Sequence, residues 1–227
     1  MPLLRVARQA VNWVRRQEGL VLFVALVVVA ALFVFARVTD EMLEGDTRDF
    51  DEWLLRRLRD PAQPDRPIGP GWLVELATDI TALGGRAMLV LVIVLVLGYL
   101  ALDRKFGAMW LVIAAASGGG LISTGLKYLL GRERPDVVPH IVSVISPSFP
   151  SGHSMLAAVV YLTLGALLAR VAERRRVRTY FIAAALLLTG LVGGSRVYLG
   201  VHYPTDVLAG WALGLAWALL CWLVARY

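Results

Sequence analysis

The sequence predicts an all-α polytopic membrane protein of six transmembrane helices, with an interfacial helical loop on the outer face between the first two. Three observations carry this. The 227 residues are 58% hydrophobic and 18% charged, with mean hydropathy +0.68; soluble domains sit near about 45–50% apolar and about 25% charged. The apolar residues fall into six uncharged blocks. The basic residues are sorted between the two sides those blocks define.

The blocks are Gly19–Ala36, Ala87–Leu102, Phe106–Leu126, Ser154–Ala169, Thr179–Ser195 and Val207–Ala225. Several are shorter than the roughly 20 residues a span needs, and snorkelling arginines and polar helical turns extend them. Ile80–Gly85 could lengthen the second span, but Gly84-Gly85 reads better as a helix break. The first block follows a basic start (Arg5, Arg8, Arg15, Arg16), as a signal peptide does. Its apolar run is longer than a typical signal core, and no small-x-small cleavage site follows, so a retained span is expected.

Sidedness follows from charge. With the N-terminus inside, the inner segments hold Arg5, Arg8, Arg15, Arg16, Arg104, Lys105, Arg170, Arg174, Arg175, Arg176, Arg178 and Arg226. That is 12 basic residues against three acidic ones, a net +9, leaving −3 outside. The positive-inside rule then puts both termini in the cytoplasm, as in a bacterial inner membrane protein. The short Arg170–Arg178 loop speaks most clearly, because the long 37–86 loop carries seven arginines of its own. The overall +6 is therefore a topology signal, and nucleic acid is not an expected partner. Twenty-one of the 23 basic residues are Arg, which reads as codon bias. A single cysteine, Cys221, excludes an internal disulfide framework and a cysteine zinc site.

The 37–86 segment is expected to be an extracytoplasmic loop. Within it Phe50, Trp53, Leu54 and Leu58 fall on one face of a helix. Two readings are equally supported: an amphipathic helix lying on the outer surface, or a small helix packed on the bundle. Pro61, Pro64, Pro67 and Pro70 then make a linker. No repeat of fixed period occurs, and the chain reads as one domain, 1–227.

Three polar clusters remain, all at outer helix ends, within 127–206. Lys127 through Arg134-Pro135 closes the third span, with Gly131 and Pro135 as terminators. Each cation there could simply complement a helix C-terminus. Pro150-Ser151-Gly152-His153 opens the fourth span: Ser151 suits an N-cap, and Gly152 lets backbone N–H groups approach an anion. Ser195-Arg196 through His202 to Asp206 bridges the fifth and sixth spans. There Pro204 suits the first helical turn, and Asp206 can orient the His202 ring. Singly, each cluster has a structural explanation. Together they bring Lys127, Arg134, Arg196, an anion nest, two histidines and an aspartate to one membrane level. Arginine forks match phosphate oxygens, and no pattern offers metal ligands, so metal-free, cofactor-free phosphate chemistry is expected.

Lys127-x6-Arg134-Pro135, Pro150-Ser151-Gly152-His153 and Ser195-Arg196-x5-His202-x3-Asp206 resemble the three-part signature of the type-2 phosphatidic acid phosphatase superfamily. The resemblance covers about 86–225. It implies that His202 attacks phosphorus and becomes phospho-histidine, that Asp206 orients it, and that His153 is the general acid. It implies a phosphate cradle of Lys127, Arg134, Ser151, Gly152 and Arg196, and a lipid phosphate or pyrophosphate as substrate, with membrane lipids around it. Undecaprenyl pyrophosphate is the leading expectation, because an outward-facing site suits recycling of a cell-wall carrier. The alternatives are a phosphatidylglycerophosphate or phosphatidic acid phosphatase, or a lipid A-type phosphatase or phosphotransferase. More remote are a vanadate-dependent haloperoxidase, whose soluble relatives fit poorly with six spans, and a non-catalytic lipid-binding protein, which the complete His153, His202, Asp206 set argues against.

Overall fold

The computed structural model describes residues 2–141 and 146–226, with side chains from residue 18 onward. The basic residues at 5, 8, 15 and 16 thus lie outside the described side chains. Eight helices are present among the described residues: α1 (Pro2–Glu44), α2 (Arg48–Arg57), α3 (Gly71–Leu83), α4 (Arg86–Leu102), α5 (Phe106–Leu130), α6 (Gly152–Val171), α7 (Arg175–Tyr198) and α8 (Pro204–Val224). Five of them, α1 (over Glu18–Glu44), α5, α6, α7 and α8, are long and apolar enough to cross a membrane; a sixth span is counted if α3 and α4, bent by 47° at their junction, act as one. The protein is an all-α polytopic membrane protein with five to six long apolar helices, consistent with a six-span fold.

The helices sort their faces for lipid. On α1, Leu22, Phe23, Leu26, Val29 and Phe33 are exposed, while Val24, Val28 and Ala31 are buried. Val28 and Ala31 pack on Ala216 of α8, and Val38 packs with Phe149 and Ala209. An exposed apolar stripe this long is lipid-facing surface, since burial in the membrane is relative to lipid tails as well as to water. The centre of the bundle is α6 and α8, each about twice as buried as its neighbours. Their contact depends on Gly210 and Gly214, where an added Cβ would meet the Ser151 carbonyl oxygen at 2.8 Å and the Ala158 Cβ at 2.8 Å. Small residues of this kind let helix backbones approach, and these two serve packing. Gly214→Leu is accordingly expected to destabilise the protein by at least about 1–3 kcal/mol through overpacking, read as a lower midpoint of thermal unfolding in detergent.

The 37–86 segment is less loop-like than expected. α1 runs on to Glu44, and α3 is a further helix directly before α4. Gly84-Gly85 does break the chain there. A Cβ on Gly84 would collide with Val192, so the turn sits tight against α7, and the Tyr161 hydroxyl donates to the Leu83 carbonyl at 2.7 Å. α4 alone has 17 residues, about 26 Å of rise against a hydrocarbon core of about 30 Å, so the α3–α4 pair supplies the length.

α2 exists as expected, but its packed face differs. Asp51 and Leu55 are fully buried, while Phe50 and Trp53 are about half exposed and stack on each other with ring centroids 6.3 Å apart. Leu55 joins Val138, Val197, Tyr203 and Val207 in a small core. The face anchored on the bundle is thus rotated from the Phe50–Trp53 stripe, because an apolar count passes over Asp51, a carboxylate that makes its burial tolerable by hydrogen bonding.

Candidate active site

The three sequence clusters meet at one end of the bundle. α5 ends because Gly131 takes a left-handed conformation (φ +59), its N–H donating to the Lys127 carbonyl at 3.0 Å. That turn releases the chain into an exit segment laced to the residues just before α6. The Ser148 N–H donates to the Arg132 carbonyl at 2.8 Å, and the Ser148 hydroxyl to that of Glu133 at 2.8 Å. The Lys127 ammonium, 8% exposed, donates to the carbonyls of Pro147 and Ser148. Arg134 is clamped through Nε to the Ser146 carbonyl at 2.8 Å and through Nη1 to that of Val201.

α6 begins as expected, with Ser151 in extended backbone as N-cap. Its N–H donates to the Asp206 carbonyl at 3.0 Å, tying α6 to α8. Its Oγ accepts from the Ser154 hydroxyl at 2.9 Å, which leaves its own hydroxyl proton free. The next two N–H groups, of Gly152 and His153, belong to the unpaired first turn of a helix. Gly152 lies beside Lys127, whose Cε would sit 3.5 Å from an added Cβ. His153 lies against the α3–α4 break, 3.4 Å from an added Cβ on Gly84.

The third cluster closes the site. Arg196, in the last turn of α7, is 3% exposed. It spends one terminal nitrogen on the Thr81 hydroxyl of α3 at 3.1 Å, while its buried Nε has no partner. The chain then turns through Gly200 (φ +75), where a side chain would strike the Pro139 carbonyl and Val138. His202 and Asp206 follow, both fully buried. Asp206 lies in the first turn of α8 behind Pro204. Its Oδ2 accepts from His202 Nδ1 at 3.2 Å and from the Tyr203 N–H at 3.0 Å.

These contacts assign the imidazole tautomer. A guanidinium only donates, and Arg134 Nη1 lies 3.2 Å from His202 Nε2. Nε2 therefore carries the lone pair and Nδ1 carries the proton, donated to Asp206. Burial first, and then the positive charge of Arg134, hold the His202 pKa well below the usual 6.5. The ring is neutral, with its lone pair aimed at a cationic surround. No group of three or more His, Cys, Asp or Glu side chains able to hold a metal ion occurs among the described residues.

All eight expected site residues thus converge. Sequence reasoning passed over their supports. Arg132, in the exit segment after α5, bridges two carboxylates. Nη1 donates to Asp206 Oδ1 at 2.6 Å, and Nη2 donates to Asp51 Oδ2 at 2.8 Å. Its guanidinium carbon stands 4.2 Å from the centroid of the Tyr203 ring. Asp51, Thr81 and Thr205 were also missed. A Thr or Asp among polar neighbours carries no periodic signal when its partners lie far off in the chain.

A cluster of cations and free N–H groups facing a neutral imidazole, at the end of a membrane-embedded bundle, defines the class: a membrane phosphatase for lipids. Its family follows from comparison with known proteins. The PAP2 superfamily model matches residues 107–227, and the chain belongs to that superfamily as a metal-independent lipid phosphatase. It is 40% identical over 147 residues to phosphatidylglycerophosphatase B of Bacillus subtilis, covering 63% of this chain and 71% of that one. It is 30% identical over 183 residues to lipid A 1-phosphatase of Rhizobium etli, covering 69% and 75%. The crystal structure of a transmembrane PAP2 type phosphatidylglycerolphosphate phosphatase from Bacillus subtilis superposes with a TM-score of 0.75 at 32% identity, over 86% of this chain and 93% of that one. Aquifex aeolicus LpxE shares the fold at a TM-score of 0.56 and 23% identity, over 78% and 93%.

Proposed function

We propose that this chain removes the terminal phosphate of a phosphomonoester lipid, phosphatidylglycerophosphate foremost, through a phospho-histidine on His202. The observation that carries the substrate is the 40% identity over 147 residues to a phosphatidylglycerophosphatase. It favours this reading over undecaprenyl pyrophosphate, since the undecaprenyl-diphosphatase of Sulfolobus acidocaldarius is similar over only 39% of the chain. The lipid A 1-phosphatase similarity supports a second reading, a sugar-lipid phosphate.

The chemistry follows from the geometry. The phosphate enters among Lys127, Arg134, Arg196, the Ser151 hydroxyl and the Gly152 and His153 N–H groups. The unpartnered buried Nε of Arg196 is costly unless something accepts from it, and a phosphate oxygen does. Arg134 Nη1 moves from His202 Nε2 to the same phosphate, uncovering the lone pair. Nε2 then attacks phosphorus, the bond from phosphorus to the lipid oxygen breaks, and His153 gives that oxygen its proton. In the second step water attacks phosphorus, its proton passes to His153, and the phosphorus–nitrogen bond breaks. The cations offset charge on the equatorial oxygens throughout. The lipid tail stays among the helices, both termini face the cytoplasm, and the site opens on the outer face of the inner membrane.

The test is phosphate release by purified enzyme from phosphatidylglycerophosphate, phosphatidic acid, a lipid A 1-phosphate and undecaprenyl pyrophosphate, with and without EDTA. The expected result is the highest kcat/KM on phosphatidylglycerophosphate, unchanged by EDTA. A higher value on the pyrophosphate overturns the substrate assignment, and loss in EDTA overturns the metal-free steps.

A further inference from the structure

Asp51 lies on α2, outside the 107–227 region that defines the family, yet its carboxylate is fully buried beneath the catalytic end of the bundle. Every oxygen is used. Oδ1 accepts the Thr205 N–H at 3.0 Å. Oδ2 accepts the Thr205 hydroxyl and Arg132 Nη2 at 2.8 Å. Thr205 is the second residue of α8, so its N–H is one of the unpaired donors at that helix's start. Asp51 therefore caps α8 from a different element, where a carboxylate also complements the helix dipole.

The same carboxylate fixes Arg132. A guanidinium is a rigid plane, and this one is held at both ends: by Asp51 at Nη2, and by Asp206 Oδ1 at 2.6 Å with the Thr205 hydroxyl oxygen at 2.9 Å at Nη1. Tyr203 faces it at 4.2 Å. Asp206 in turn has one oxygen on Arg132 and the other on His202. The chain of contact runs from Asp51 through Arg132 and Asp206 to His202. Charge matters as well as position. With Asp51 present, one arginine is shared by two carboxylates, so Asp206 keeps net negative character toward the imidazole N–H. Without it, Arg132 pairs Asp206 one to one.

We propose that Asp51 is a positioning residue of the phosphatase reaction, holding Arg132 and the start of α8 so that Asp206 orients His202. The proposal rests on the reading of His202 and Asp206 as the reacting pair. The test measures kcat and KM on a short-chain phosphatidic acid in detergent micelles for Asp51→Asn, Asp206→Asn, the double variant, and His202→Ala beside them. Asp51→Asn is expected to lower kcat roughly 10- to 100-fold, as losing a support of a functional group does, with KM within about twofold, the pattern of a lost transition-state interaction. In the Asp206→Asn background it is expected to cost less than about threefold, because its effect passes through that carboxylate. A purely structural role predicts the same factor in both backgrounds. That result, an unchanged kcat, or a rise in KM alone overturns the proposal. Arg132→Lys, which cannot span both carboxylates, is expected to follow the same pattern; if Asp51→Asn does not fold, a kcat for Arg132→Lys within twofold of wild type overturns it. Activity retained in His202→Ala would instead refute the reading beneath, whatever Asp51→Asn does.

Discussion

Replacing His202 with alanine is expected to lower lipid phosphate hydrolysis by at least about 10⁴-fold, the scale of losing the nucleophile from a covalent mechanism. No other described group is placed to substitute. His153 sits across the site by the α3–α4 break, without a carboxylate to set its tautomer. In His202 the tautomer is set from both sides, by Asp206 at Nδ1 and Arg134 at Nε2. Burial and three cations hold the ring neutral, so the lone pair is present without deprotonation at neutral pH. The sign can be checked in kcat/KM, which reports the free enzyme. A histidine with its ordinary pKa near 6.5 would make activity fall as pH dropped through that value. With the pKa held lower, the acid limb of kcat/KM on a substrate of constant charge, which reports His202, is expected to lie below pH 6.5, while activity is lost on the alkaline side as His153 gives up the proton it must donate. Acid-quenched enzyme carrying labelled phosphate in wild type, and none in His202→Ala, completes the assignment.

Much of this site was legible in the sequence, because the features that build it are local. Gly131 ends α5 in the left-handed region, Ser151 caps α6 and Pro204 starts α8, and each acts within a few residues of itself. Once the spans were placed, these ends had to meet at one level. What was not legible is what depends on distant partners. Asp51 is flanked by an exposed Asp49 and by Glu52, which pairs with Arg48 and Arg56, and nothing local marks Asp51 as the buried one; its partners Arg132 and Thr205 are 81 and 154 residues away. The same holds for α3, whose Glu75 and Asp79 interrupt an apolar run that only its junction with α4 makes span-like.

Asp206→Asn is expected to lower kcat about 10⁴-fold while leaving the fold intact, the size of effect when a carboxylate that orients a catalytic histidine becomes an amide. The carboxylate here faces only donors: His202 Nδ1–H and the Tyr203 N–H on Oδ2, and Arg132 Nη1 on Oδ1. An amide has one accepting oxygen and one donating nitrogen. If its oxygen stays toward His202, its NH₂ faces Arg132 at the 2.6 Å position, donor against donor. If it turns over, the NH₂ faces the Tyr203 N–H and His202 Nδ1, and the ring must move its proton to Nε2 to accept. The nucleophilic lone pair is then lost from the side that faces phosphate. Either orientation is unfavourable, and the second abolishes attack outright. The loss should fall on phospho-histidine formation, so rapid-quench measurement of the labelled enzyme should show a burst slowed as much as kcat. A burst at the wild-type rate with slow turnover would place Asp206 in the hydrolytic step and not in orienting the nucleophile.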